Sequence, residues 1–295
     1  MKILITFVLV LFSCAVKAQF QSNDGGMSAY RKIKTINYGT ADAIAYYKVQ
    51  FLKDSTQTGK YSEAQTFLQI SNNYLCFGDY YQQIVDSIEL DIAKTHKNMT
   101  QENANIWERA AQKMNFFAKV ISDLKKGFMK VQLYTGLRDY EYTCPLPALD
   151  WQLLPGDSTI NNMPCKKATC CYAGRKYIAW YTDKISLPYG PYVFQGLPGL
   201  IMDIRDTKNN WIFSNNGFRK VNDSNVLYLY AKGFISGSVK VTTRENALSA
   251  LRNETENKNN LFLETAGVQV LENGKWITPE ANKPRTPSNL LELEW

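Results

Sequence analysis

The sequence predicts an α+β domain built on a mainly antiparallel, curved and open β-sheet, a half-barrel. Three observations carry that expectation. From residue 128 onward, short alternating runs follow one another with turn signals between them, the mark of consecutive antiparallel strands. After Thr100 a single long stretch repeats its apolar residues at helical spacing. Tyrosine is frequent, at 18 residues, and aromatic rings pack well on pleated surfaces.

The first eighteen residues, MKILITFVLVLFSCAVKA, read as a secretory signal peptide. Lys2 is the charged start, Ile3–Phe12 the apolar run, and Val16-Lys17-Ala18 the cleavage site. The expected organisation is therefore a signal peptide at 1–18 and one domain at 19–295. A second reading takes Leu11-Phe12-Ser13-Cys14 as a lipid-attachment motif with Cys14 modified. No later run approaches the ~20 apolar residues a spanning helix needs. An exported protein of the periplasm or outer membrane is expected.

Residues 19–42 are polar and weakly patterned. AYYKVQFL at 45–52 places Ala45, Tyr47, Val49 and Phe51 on one face and Tyr46, Lys48 and Gln50 on the other, a half-buried strand. TFLQIS at 66–71 is a second strand. The long helix is expected over about 101–125, with Thr100 as N-cap and Glu102 in the first turn. Its stripe is Ile106, Ala110, Met114, Phe117, Ile121 and Leu124, and Gly127 follows as a stop. FMKVQLY, RDYEYT, DWQLL, RKYIAWYT, GLIMDIRD, NWIFSN and NVLYLYAK then read as strands. A short helix is expected at about 243–257. Asn273-Gly274, between VQVL and WIT, is a type I′ hairpin signal. TPSNLLELEW reads as a final edge strand.

The chain carries a formal charge of +7, of which Lys2 and Lys17 belong to the signal peptide. The remaining positive residues are scattered, with small pairs at Lys125-Lys126 and Lys166-Lys167. No basic face of the kind nucleic-acid binding requires is visible.

Candidate chemistry is sparse. His96 is the single histidine, in a polar connector, so a multi-histidine metal site is excluded by count. Beyond the leader stand five cysteines: Cys76, Cys144, Cys165, Cys170 and Cys171. Export favours disulfides, and an odd number leaves one over. If DWQLL and the segment ending at Cys171 form a hairpin turning near Gly156–Thr159, Cys144 bridges Cys170 or Cys171 and Cys165 faces Trp151. A thiolate site for Cu(I) or zinc, or a redox centre, on Cys165, Cys170 and Cys171 is the alternative chemistry. Asp203 and Asp206 flank a strand end, where a turn-capping aspartate is expected.

The stretch GPYVFQGLPGLIMDIRD at 190–206 is dense in glycine and proline. A phosphate loop needs a lysine after its second glycine and a following helix, and this stretch has neither. It reads as a stiff bend feeding a strand whose Leu200, Met202 and Ile204 enter the core. Gly190, Pro191, Gly196, Pro198 and Gly199 are its structural residues, and φ is expected to be positive at Gly199. Trp180, Tyr181, Tyr189, Tyr192, Leu197 and Pro198 are the candidate ligand- or partner-binding residues around it.

GLPGLI at 196–201, with Gly190-Pro191 before it and AWYT at 179–182, resembles the GLPGLI family of secreted proteins from Gram-negative bacteria. Trp151-Gln152-Leu153, Cys165-Lys166-Lys167-Ala168, Gly174-Arg175 and the Asn-Leu-Leu-Glu-Leu-Glu tail stand in the family's order. The resemblance is strong over about 140–206. Ile185-Ser186-Leu187-Pro188 departs from the family's Ile-Pro, and Cys144 and Cys170-Cys171 are peculiar to this chain. The order of elements is also similar to the half-open sheet of LolA-type periplasmic lipoprotein carriers, which implies an apolar hollow. The family brings no catalytic residue and no cofactor. The expectation is a non-enzymatic envelope protein that binds a partner protein or an apolar ligand. A structural or assembly factor with no small ligand is a further alternative.

Overall fold

The computed structural model describes residues 33–57, 59–95, 99–135, 138–222, 225–231, 239–257, 270–272, 275–277 and 287–294. The expected signal peptide, Cys14, His96 and the Asn273-Gly274 turn lie outside the described residues. Two compact units are present. One holds Tyr81–Lys113; the other holds Thr35–Tyr80 and Met114–Trp295.

The first unit carries two helices. α1 (Tyr80–Thr95) has a stripe of buried residues that includes Val85, Ile88, Glu89 and Ile92. α2 (Gln101–Lys113) begins where Thr100 Oγ1 accepts the Asn103 amide at 3.2 Å, so Thr100 is the N-cap. Trp107 Nε1 donates to Glu89 Oε1 at 2.9 Å, tying α2 to α1.

In the second unit two meanders join. The first is β2 (Ala43–Phe51), β3 (Ser62–Ile70), β4 (Tyr74–Asp79), β5 (Ala118–Asp123), β6 (Phe128–Tyr134) and β7 (Asp139–Pro145). The second is β8 (Gln152–Ile160), β9 (Met163–Tyr172), β10 (Arg175–Thr182), β11 (Leu200–Asp206) and β12 (Trp211–Lys220). β12 pairs with β2 from Trp211↔Phe51 to Lys220↔Ala43, and this contact between distant segments makes one sheet of the two. Its twelve strands end in β14 (Val239–Val241), parallel to β7, and in β8. The two ends do not pair, so the sheet is open and curved rather than a closed barrel. β1 (Thr35–Thr40) pairs with β13 (Val226–Tyr230). α3 (Arg244–Glu256), capped by Thr243, and the β15 (Val270–Glu272) to β16 (Lys275–Ile277) pair complete the unit.

Register explains the core. Ala64, Val49, Phe213, Ile204, Ala179 and Ala168 stand side by side across six strands, and all are buried. They form one apolar row on the inner face. Along β11, Leu200, Met202 and Ile204 are buried as expected, but so are Ile201 and Asp203. A bulge opposite Trp180 and Tyr181 breaks the alternation there.

The structure corrects four sequence expectations. The 101–125 helix stops at Lys113, and Ala118–Asp123 is the strand β5. Asp79 Oδ2 accepts the amides of Asn115 (3.0 Å) and Phe116 (2.9 Å), the groups a continuing helix would use internally. The supposed stripe is therefore a coincidence of two elements: Ile106 is 43% and Phe117 48% exposed. The final edge strand is absent among the described residues, since 287–294 carry no strand pairing.

The remaining two corrections concern the cysteines. The β8–β9 hairpin turns at Asn161-Asn162, both with positive φ (51° and 60°), as a type I′ turn requires. Gly156 lies instead beside a register shift between Leu154 and Asp157. Cys165 thus faces Ser158, not Trp151, and Cys144 stands on β7 opposite Met129. β7 and β9 each lie next to opposite ends of the sheet. The expected Cys144 bridge is not formed: Cys76, Cys144, Cys165, Cys170 and Cys171 all carry free thiols.

Candidate functional site

The loop between β10 and β11 turns back onto the inner face of the sheet. Gly199 has φ +156°, and a Cβ there would stand 2.0 Å from the Thr182 carbonyl oxygen. Gly190 lies against Ile201, whose Cδ1 would be 2.6 Å from an added Cβ. These approaches bring the two ends of the loop together, so its middle must fold inward. Tyr192, Val193, Phe194 and Leu197 are all buried in the main core. The Phe194 ring meets Tyr177 at 4.7 Å between centroids and Phe213 at 6.4 Å. Tyr192 adopts φ +58°, a strained conformation for a bulky side chain.

The candidate binding residues consequently separate. Tyr181, Tyr192 and Leu197 are buried, Trp180 and Tyr189 are half-buried, and Pro198 is exposed with Gly196 at the loop tip. Trp151 Nε1 donates to the Gln195 carbonyl at 2.8 Å, which joins this tip to the strand-β8 end of the sheet. The inner apolar row ends here on Leu153, opposite Ala168, and Leu153 is 62% exposed. On the other face Leu154, Lys167 and Trp180 stand in register.

Sequence reasoning missed a second arrangement. The Glu292 carboxylate, in the C-terminal segment, is buried in a polar cage. Tyr192 and Tyr172 hydroxyls donate to Oε1 at 2.6 and 2.8 Å. Arg244 donates to Oε2 through Nε at 3.0 Å and Nη2 at 2.7 Å. The Tyr142 hydroxyl is buried nearby without a hydrogen-bond partner. Burial, and then the Glu292 charge, hold the Tyr172 and Tyr192 hydroxyls well above the ordinary tyrosine value. Burial opposes the Arg244 charge, but Glu292 and Tyr172 outweigh it and raise its pKa. The cage is therefore a neutral set of hydroxyl donors around a fixed ion pair. The only sequence signal for it was the acidic, leucine-rich tail itself.

The same segment is held a few residues earlier. Arg175, buried and paired with Asp206 at 2.7 Å, donates to Asn289 Oδ1 (2.7 Å) and to the carbonyls of Leu290 and Leu291. Asn289 Nδ2 donates to the Leu52 carbonyl at 2.7 Å, and Trp211 Nε1 to the Asn289 carbonyl at 3.0 Å. Asp206 also accepts the Asn210 amide at 2.6 Å, the turn cap expected of it.

Of the thiols, Cys144 lies within electrostatic reach of the Arg244–Glu292 pair, and burial raises its pKa. Cys170 and Cys171 are neighbours on β9; Cys170 is buried and Cys171 exposed. Burial pushes the Cys170 thiol up to about 12 and the Cys76 thiol up to about 11, which disfavours the thiolate that metal binding uses. Among the described residues no group of three or more His, Cys, Asp or Glu is placed to hold a metal ion. No described helix is long and apolar enough to cross a membrane.

Fold and loop together define an open-sheet α+β protein whose inner face is occupied by its own Gly-Pro-rich segment. A family model described as a protein of unknown function (Porph_ging) matches residues 166–203, and over that segment the resemblance to the GLPGLI family holds. No curated protein matches the chain. Among solved structures, PNGF-II in a P21 crystal form is 10% identical with a TM-score of 0.45, and in a C2 form 11% identical with a TM-score of 0.44. Each match covers 71% of this chain and 32% of the other, so the chain spans about a third of PNGF-II. A likeness this distant carries no argument about function.

Proposed function

We propose that the chain is a non-enzymatic, exported binding protein of the cell envelope, and that it docks a partner protein at the strand-β8 end of its inner face. One observation carries this reading: the buried apolar row ends on the exposed Leu153, beside Trp151 and the exposed loop tip of Gly196 and Pro198. Of the candidate residues, Pro198 is exposed and Tyr189 half-buried, while the half-buried Trp180 stands on the other face with Leu154 and Lys167. Tyr181, Tyr192 and Leu197 lie in the core behind them. A partner protein is favoured over a small apolar ligand because Tyr192, Val193, Phe194 and Leu197 already pack in the core of the inner face. Edge-to-edge strand addition is disfavoured by Pro155 and by the register shift in β8, both of which blunt a sheet edge. Export and the envelope location rest on the leader sequence.

The test compares the wild-type chain with Leu153→Asp as bait in envelope extract. A specific protein is expected with the wild type, and roughly tenfold less of it with Leu153→Asp, as for loss of a buried apolar anchor. Equal recovery by both baits overturns the docking site. Lipid extracted stoichiometrically from the purified protein would replace the partner reading with the carrier form.

A further inference from the structure

The C-terminal segment is bound the way a peptide ligand is bound. Within Asn289–Leu293 the groove engages a side-chain amide, several carbonyls, a carboxylate and backbone amides. Asn289 is held by Arg175, Trp211 and the Leu52 carbonyl, Glu292 by Tyr172, Tyr192 and Arg244. Leu291 is buried between them, and Leu293 N donates to the Ala173 carbonyl at 3.0 Å. The segment is nonetheless no strand of any sheet.

The groups that grip it are held by the framework. Asp206 fixes Arg175, and the Arg244 guanidinium lies 6.0 Å from the Tyr172 ring centroid. With the segment gone, a cationic guanidinium and the hydroxyls of Tyr142, Tyr172 and Tyr192 would converge on an unfilled space. Tyr142 already has a buried, unused hydroxyl there. That is the composition of a carboxylate receptor.

We propose that the groove lined by Arg175, Tyr172, Tyr192, Trp211 and Arg244 is a peptide-binding site, filled in this structure by the chain's own tail. It accepts from another polypeptide an extended segment of the same pattern: asparagine, two leucines and glutamate in succession. This site is separate from the docking site at Leu153 and does not rest on it.

The probe is a fluorescent peptide of sequence Pro-Ser-Asn-Leu-Leu-Glu-Leu-Glu, read by anisotropy against the full-length chain. The covalently attached tail competes with it at high effective concentration. Glu292→Gln and Asn289→Ala weaken the tail, so each is expected to bind the peptide about tenfold more tightly than the wild type. Replacing the first glutamate of the peptide by glutamine is expected to weaken its binding about tenfold, as is adding Arg244→Gln to the Glu292→Gln chain. Folded variants that bind no better than the wild type, or equal binding of the two peptides, overturn the proposal. If neither variant melts cooperatively, the wild-type chain decides. Saturable binding that prefers the glutamate peptide supports the site; no binding at about 1 mM, an affinity weaker than roughly −4 kcal/mol, overturns it.

Discussion

Gly199 shows how one residue determines the path of a loop. Its missing Cβ lets the chain pass the Thr182 carbonyl at a distance no side chain tolerates. Gly190 does the same against the Ile201 side chain, whose Cδ1 and Cβ would lie 2.6 and 2.8 Å from an added Cβ. Substitution should therefore be asymmetric. Gly199→Ala is expected to cost about 4 kcal/mol or more, because it meets the Thr182 backbone at positive φ, whereas Gly190→Ala should cost about 2–3 kcal/mol by shifting Ile201. Urea unfolding of the two variants checks the order; equal losses would show that the Thr182 contact does not control the loop. The density of glycine and proline was legible in the sequence. Which glycine meets backbone and which meets a side chain was not, because Thr182 and Ile201 are brought there by strand pairing.

At the scale of elements, Asp79 decides where helix gives way to strand. Nothing within residues 106–124 marks the end of a helix at Lys113, since the apolar spacing continues through Met114, Phe117 and Ile121. The signal lies more than thirty residues upstream, at the end of β4, where one buried carboxylate oxygen takes two amides. β5 then fits between β4 and β6, with Val120 opposite Phe77 on one side and Val131 on the other. Asp79→Ala should leave the Asn115 and Phe116 amides without their acceptor and cost about 3 kcal/mol. Hydrogen exchange is expected to accelerate first at residues 115–118; protection unchanged there would argue against Asp79 as the stop. α3, by contrast, runs over Arg244–Glu256, close to the expected 243–257, and Thr243 caps it locally.

For the whole molecule, Arg175 connects the second meander to the C-terminal segment. It is buried, paired with Asp206, and bonded to Asn289, Leu290 and Leu291. Arg175→Ala removes those bonds and leaves Asp206 without its cation, an expected loss of about 3–5 kcal/mol. Limited proteolysis should then cut within 287–294 before the sheet is attacked. Cleavage elsewhere first would mean that the segment is held mainly at Glu292. Since Asp206 also caps the turn into β12, loss of Arg175 is expected to weaken the β11–β12 hairpin as well. The Arg175–Asp206 pair thus belongs both to the sheet and to the peptide groove.

The sequence by itself determined most strands of the two meanders, though not β4 or β5, together with the short helix α3 and the bend at 190–199. Each depends on alternation, capping or backbone freedom among neighbouring residues, and those are local properties. Only the tertiary structure decided the rest. It decided that Asp79 ends α2, that an Asn161-Asn162 turn sets the register of Cys165, and that Cys144 and Cys170 stand on strands near opposite ends of the sheet. It also decided that the tail is not an edge strand but a segment gripped by Arg175, Arg244 and two tyrosines. For Asp79 and the tail the physical reason is shared. A buried carboxylate or guanidinium selects partners by position in space, and residues distant in sequence, such as Asp79 and Asn115 or Arg175 and Leu291, carry no shared local pattern by which they could be paired.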